Sequence, residues 1–101
     1  MNERIQHYTI AATHPCFAGH FPNNPVVPGV VVLDYVRQLL SQWQPTLRIK
    51  TLRQAKFLQP LYPEQVFSIH LQQLTEQMIK FECRRDEQQL VVGTLNMEKN
   101  Q

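Results

Sequence analysis

The chain has 101 residues and a formal net charge of +2, and hydrophobic residues make up 43% of it. We predict one domain over residues 1–101, whose core is small enough to benefit from self-association, since a chain of this size buries only about two-thirds of the surface that its unfolded form exposes. The mild charge argues against nucleic-acid binding, and no apolar run reaches the length of a membrane-spanning helix. The polar start without a signal-peptide core favours a cytoplasmic location, where the two cysteines are expected to be reduced thiols.

The first predicted element is a strand from Gln6 to Ala12, where apolar and polar residues alternate with a period of two. A loop is predicted from Thr13 to Gly29, because its four prolines and two glycines exclude a continuous helix or strand. Loops of this length in a small domain often carry function.

Pro28 and Gly29 open the predicted helix, which runs to about Gln44 because a proline follows. Its first turn, residues 30–33, is entirely apolar, so we expect protein on every side of it. A polar stripe then follows at helical spacing: Asp34, Arg37, Gln38 and Ser41. The sequence therefore predicts a mostly buried helix with one polar seam.

Four further strands are predicted: Leu47 to Phe57, Gln65 to Leu74, Gln77 to Arg85 and Gln89 to Glu98. Their alternation is typical of half-buried antiparallel strands. The apolar phase changes between Ile49 and Leu52, which predicts a bulge or a strong bend. The pattern as a whole indicates an α+β domain with one helix packed on a curved antiparallel sheet.

The run Gly19-His20-Phe21-Pro22-x-x-Pro25-x-x-Pro28-Gly29-Val30-x-x-Leu33-Asp34 resembles the active-site signature of the 3-hydroxyacyl-[acyl carrier protein] dehydratases of the FabA/FabZ group. A second stretch, Lys56 to Gln65, is similar to the strand and turn that follow the helix in those enzymes. The chain mixes features of both branches, and this compact character resembles the ApeI-like dehydratases of aryl polyene pathways. The resemblance implies the hot-dog fold, in which a curved antiparallel sheet wraps around one long central helix.

Such an enzyme converts (3R)-3-hydroxyacyl thioesters on acyl carrier protein to trans-2-enoyl thioesters, in fatty acid or aryl polyene biosynthesis, without a metal or redox cofactor. The resemblance implies that His20 is the general base and Asp34 the general acid, and the ordinary pKa of histidine, about 6.5, suits a base at neutral pH. The backbone N–H groups of Gly29 and Val30 are expected to hold the thioester oxygen, because the first turn of a helix leaves amides unpaired. Supporting roles are expected for Gln38, Phe21 and Pro28.

The apolar residues 31–33 are expected to raise the pKa of Asp34, as a general acid requires. Gln38, one turn along the helix, is expected to orient the carboxyl group by a hydrogen bond.

The resemblance further implies a homodimer, or a higher oligomer, in which His20 of one subunit works with Asp34 of the other. A set of basic residues is a candidate docking surface for the acidic carrier protein, with an ordinary solvated strand face as the alternative: Arg48, Lys50, Arg53, Lys80, Arg84 and Arg85.

Two other functions stay open. A hot-dog acyl thioesterase would use the same helix-start amides to hold the carbonyl while a carboxylate activates water, although the spacing from His20 to Asp34 argues against it. A non-catalytic acyl-binding subunit would keep the fold and pair with an active partner. The acyl chain length and any isomerisation of the product are also left open.

Overall fold

In the computed structural model, which describes residues 2–17 and 25–100, one α-helix packs on a five-stranded antiparallel sheet. The elements in chain order are β1 (Glu3–Thr9), a 3₁₀ turn (Pro15–Phe17), α1 (Gly29–Trp43), β2 (Leu47–Phe57), β3 (Val66–Gln73), β4 (Met78–Arg85) and β5 (Gln88–Lys99). The strand order in the sheet is β1-β3-β4-β5-β2. Strands β1 and β2 are therefore the two edges of the sheet in the part of the chain described.

The bounds of α1 and of β2 to β5 agree with the sequence predictions to within about a residue at each end. The bulge predicted in β2 is confirmed by shifts in its pairing with β5, between Ile49 and Thr51 and between Leu52 and Gln54. The first strand begins three residues earlier than predicted and ends at Thr9. It ends there because the chain turns at once, with the N–H of His14 donating to the carbonyl of Ala11.

The core lies between α1 and the face of the sheet that it covers. The helix contributes Val32, Val36, Leu39 and Leu40, whose spacing places them on one side. The central strands contribute alternate residues, which are Phe67, Ile69 and Leu71 of β3 and Ile79, Phe81 and Cys83 of β4. Each fully buried large side chain stabilises the fold by about 1.5–3 kcal/mol relative to an exposed one.

The first turn of α1 differs from the prediction. Val32 is buried, but Val30 is 73% exposed, and Val31 and Leu33 are only partly buried. A helix on a single sheet has protein on one side, so the residues on its other sides stay open within one chain.

Among residues 2–17 and 25–100, no helix combines the length and the hydropathy that a membrane span requires.

Candidate active site

The helix start is built around Pro28, which caps α1 with an extended backbone (φ −60°, ψ 142°). The first helical hydrogen bonds are those from the N–H groups of Val31 and Val32 to the carbonyl of Pro28, at 3.0 and 3.4 Å. The N–H groups of Gly29 and Val30 therefore have no acceptor within the helix. They lie at the positive end of the helix dipole, which favours an oxygen that carries negative charge.

An apolar pocket of about 490 Å³ opens beside this helix start. Its lining comes from three parts of the chain: the helix start (residues 26–29 and Val32), the end of β2 and the residues after it (57–61), and β5 (Leu90 and Val91). Among the described lining residues, Gln59 alone has a polar side chain. A concave apolar surface next to a small number of polar groups is what a ligand with a hydrocarbon chain requires.

The aromatic ring of Phe57 lies directly against Gly29. A Cβ atom added to Gly29 would stand 2.5 Å from Cε1 and 2.7 Å from Cζ of that ring. Glycine thus allows the end of β2 to approach the helix start at the pocket. Phe57 is 55% exposed and lines the pocket, so a ligand in the pocket can contact it.

Asp34 is surrounded by hydrogen-bond donors from its own helix. Its Oδ1 accepts from Nε of Arg37 at 2.9 Å, and its Oδ2 accepts from Nε2 of Gln38 at 2.8 Å. These donors, that of Arg37 above all, lower the pKa of the Asp34 carboxyl group below its ordinary value. The expectation of a raised pKa is therefore wrong for the single chain, in which the Asp34 side chain is 49% exposed and burial has little effect.

The structure does not gather the predicted site residues into one cavity. Pro28 and Gly29 line the pocket, whereas Val30 and Asp34 line a neighbouring groove of about 260 Å³ between α1 and the sheet. The predicted hydrogen bond from Gln38 to Asp34 is present, and its catalytic role stays a prediction. His20 and Phe21 lie outside the described residues.

Two residues of the site were missed by the sequence analysis. The sequence places Arg37 on the polar stripe but does not by itself assign its pairing with Asp34, although a separation of three residues on a helix allows that pairing. Phe57 belongs to a stretch that was noted, yet nothing local to it indicates contact with Gly29.

Burial disfavours the thiolate form of both cysteines, and of Cys83 most strongly. Burial raises the pKa of Cys83 to about 12, and burial also raises the pKa of Cys16. No group of His, Cys, Asp and Glu side chains in residues 2–17 and 25–100 is arranged to hold a metal ion.

Comparison with known proteins gives one family and one fold. The model of the ApeI-like family, described as ApeI dehydratase, matches residues 2–94. The 3-hydroxyacyl-[acyl-carrier-protein] dehydratase FabZ of Haemophilus influenzae (strain PittEE) is 30% identical over 80 residues, which cover 66% of this chain and 51% of that protein. The chain thus spans about half the length of the FabZ relative.

Two solved structures are similar in fold. A chain of the dehydratase heterocomplex ApeI:P from Xenorhabdus doucetiae has a TM-score of 0.85 at 22% identity, over 95% of this chain and 87% of that one. A probable thioesterase from Bartonella henselae has a TM-score of 0.75 at 12% identity, over 96% of this chain and 89% of that one. These similarities confirm the predicted hot-dog fold.

Proposed function

Because the chain belongs to the ApeI-like dehydratase family, we propose that it dehydrates (3R)-3-hydroxyacyl thioesters on acyl carrier protein to trans-2-enoyl thioesters. One observation carries the proposal beyond family membership. The helix-start amides of Gly29 and Val30, which have no acceptor within the helix, lie beside an apolar pocket that Gly29 lines, which is the arrangement that a thioester with a hydrocarbon chain needs.

The proposed reaction assigns one task to each group. The imidazole of His20 takes the proton from C2, and the electron pair of that C–H bond forms the new double bond between C2 and C3. The bond from C3 to the hydroxyl oxygen breaks, and Asp34 gives its proton to the departing oxygen, which leaves as water. The amides of Gly29 and Val30 hold the thioester oxygen while it carries charge, and losing one such donor costs about 10²- to 10³-fold in rate.

The lowered pKa of Asp34 bears directly on this role, because a general acid must hold a proton. We propose that Asp34 becomes protonated when the chain assembles with a second subunit. Covering the groove that Val30 and Asp34 line would remove water from the carboxyl group and raise its pKa. The composite site expected from the resemblance, with His20 of one subunit facing Asp34 of the other, also requires a second subunit at this groove.

Edge strand β2 supports such an assembly. Its backbone is open on one side in the described structure, and Leu52, Phe57 and the adjacent Leu58 are 43–55% exposed. An open edge with apolar side chains is a natural site for pairing with another chain. A homodimer is the proposed assembly, and the heterocomplex named for the similar ApeI:P structure makes a different partner chain the alternative.

We propose the following cofactor requirement, substrate carrier, location and pathway. Proton transfer and loss of water need no redox or metal cofactor, the acyl carrier protein presents the substrate, and the cytoplasm keeps Cys16 and Cys83 reduced. The pathway is fatty acid or aryl polyene biosynthesis.

Thioester hydrolysis is the second candidate, and the ionised state of Asp34 favours it. A carboxylate that stays charged at neutral pH suits a base that activates water, with the helix-start amides holding the carbonyl oxygen. The two reactions differ in product, since hydrolysis releases a free acid and dehydration keeps the thioester.

The test is turnover of 3-hydroxyacyl carrier protein by the purified chain, followed by mass spectrometry of the acyl group. We expect loss of one water molecule by the wild-type chain and no loss with His20→Ala or Asp34→Asn. His7→Ala and Asp86→Asn are matched controls on an exposed strand and in a turn, and they should turn over normally. Release of free acid, or no turnover by a folded oligomer, would contradict the proposal.

A further inference from the structure

One wall of the apolar pocket has no regular secondary structure. This wall, residues 58–61, follows the end of β2, and individual hydrogen bonds fix its position. The N–H groups of Leu58 and Gln59 donate to the carbonyl of Leu90 at 2.8 and 3.3 Å, and the N–H of Val27 donates to the carbonyl of Leu61 at 2.8 Å. Both ends of the wall are thereby attached to the rest of the pocket.

The middle of the wall depends on Arg85 at the end of β4. Pro60 has no N–H, so its carbonyl is its one backbone group able to form a hydrogen bond. Nη1 of Arg85 donates to this carbonyl at 2.8 Å and to Oε1 of Gln65 at 3.0 Å. The same Oε1 accepts from the N–H of Tyr62 at 3.1 Å, which ties the residues after the wall to the same guanidinium group.

The guanidinium group is itself held in place. Its Nη2 donates to Oε1 of Gln88 at 3.0 Å, across the turn between β4 and β5. Because the guanidinium group is planar and its donors point in fixed directions, it can bind the Pro60 carbonyl through Nη1 and the Gln88 side chain through Nη2 at the same time. Lysine, with a single nitrogen on a flexible stem, lacks this geometry.

We infer that Arg85 is a positioning residue, which fixes the wall formed by residues 58–61 and thereby sets which acyl chains the pocket accepts. This inference rests on the proposed function. Arg85 does not touch the reacting atoms; it acts through the backbone of Pro60 and the side chain of Gln65. Its three hydrogen bonds also direct the guanidinium group towards this loop, away from the docking role that its charge alone suggested.

The experiment measures kcat and KM for 3-hydroxyacyl substrates with short, medium and long chains, for the wild-type chain and for Arg85→Met. With Arg85→Met we expect kcat to change little and KM to rise with chain length, by about four-fold for each methylene that loses contact with the wall. Arg85→Lys should give a smaller shift in the same direction.

Two further variants separate positioning from folding. Gln65→Glu keeps an acceptor oxygen for Arg85 and should retain the wild-type chain-length profile. Gln65→Leu removes the acceptor but leaves the hydrogen bond from Arg85 to Pro60, so it should shift the profile in the same direction as Arg85→Met and by less. Arg4→Met removes a charge from the exposed edge strand β1 and is the matched control. A purely structural role for Arg85 would lower the active fraction, and hence kcat, equally for all chain lengths.

Substrates on carrier protein and on free pantetheine distinguish the remaining explanations. The inference requires the same chain-length shift with both carriers. A rise in KM that is equal for all chain lengths and vanishes with pantetheine thioesters would show a docking role and overturn it, as would an unchanged profile in Arg85→Met. Absence of turnover by the wild-type chain would instead contradict the proposed function itself.

Discussion

Arg37 and Asp34 form an ion pair on α1, with Nη2 of the arginine 2.9 Å from Oδ1 of the aspartate. Nε of Arg37 reaches the same oxygen, and Gln38 donates to the other. Both carboxyl oxygens of the proposed general acid are therefore engaged by donors that favour its charged form. Within one chain Asp34 is therefore ionised, and the proposed reaction requires a second subunit that raises its pKa so that it can hold a proton.

The first prediction concerns the pKa of Asp34. In the dissociated single chain, Arg37→Met removes the largest cause of the lowered pKa, so the pKa of Asp34 should rise towards its ordinary value, and Gln38→Ala should raise it too. Carboxyl chemical shifts followed by NMR titration report the change, with Asp34→Asn to assign the signal. A pKa that does not move in Arg37→Met would contradict the role given to this ion pair.

The same pair predicts the sign of a pH effect on stability. In the dissociated single chain the folded pKa of Asp34 is lower than the unfolded one, so the pair stabilises the fold above the unfolded pKa, which is about 3.9, and this contribution is lost as the pH falls through the folded value. Arg37→Met should therefore show a smaller decrease in stability over this acid range than the wild-type chain. The difference will be small because both side chains are about half exposed. Denaturant unfolding at a series of pH values measures it.

The second prediction concerns the contact between Gly29 and Phe57. Gly29→Ala places a methyl group against the ring, and because Phe57 is exposed and its ring can turn aside, the cost should be below that of overpacking in a closed core, which is about 1–3 kcal/mol. In a Phe57→Ala background the space is open, so the same substitution should be nearly neutral. Thermal and denaturant unfolding of the four proteins in this double-mutant cycle measures the coupling, and an equal cost in both backgrounds would contradict the contact.

Most of the fold could be predicted from the sequence, because apolar and polar residues alternate along the strands and follow a helical period in α1. Strand β2 was predicted with its bounds, and its bulge was visible as a change of phase. The end of β1 was missed because pairing with β3 and the following turn, rather than alternation, determine it. The hot-dog fold itself came from resemblance to a family motif.

The candidate site was less predictable. Neighbours at positions 31–33 point to other sides of the helix, whereas Arg37 and Gln38, one turn on, share the side of Asp34 and set its pKa. Residues 58–61 reach the pocket through hydrogen bonds to Leu90 and Val27, which are distant in sequence. Local patterns cannot show such contacts.

The third prediction concerns assembly. Leu52 on edge strand β2 is 43% exposed and lines the groove next to Asp34. Leu52→Lys should shift the protein from dimer to monomer in gel filtration with light scattering. Leu74→Lys, at a leucine 47% exposed between β3 and β4, is the control and should leave the dimer intact. Equal behaviour of the two variants would contradict an interface at β2.

The fourth prediction concerns the cysteines. Cys83 is fully buried with a pKa of about 12, so its thiol stays protonated and shielded at pH values near neutrality. Iodoacetamide should label Cys16 slowly and Cys83 far more slowly in the native protein, and both in denaturant. Peptide mass spectrometry gives the two rates, and equal native labelling would show that β4 is not packed as described.

The central claim is dehydration at His20 and Asp34, and its most direct test is the reverse reaction in ¹⁸O-labelled water. The purified chain is incubated with trans-2-enoyl carrier protein, and the acyl products are analysed by mass spectrometry. The account predicts a 3-hydroxyacyl thioester with ¹⁸O on its hydroxyl group, formed by the wild-type chain but not by His20→Ala or Asp34→Asn. A free enoyl acid with ¹⁸O in its carboxyl group would contradict it and identify a thioesterase.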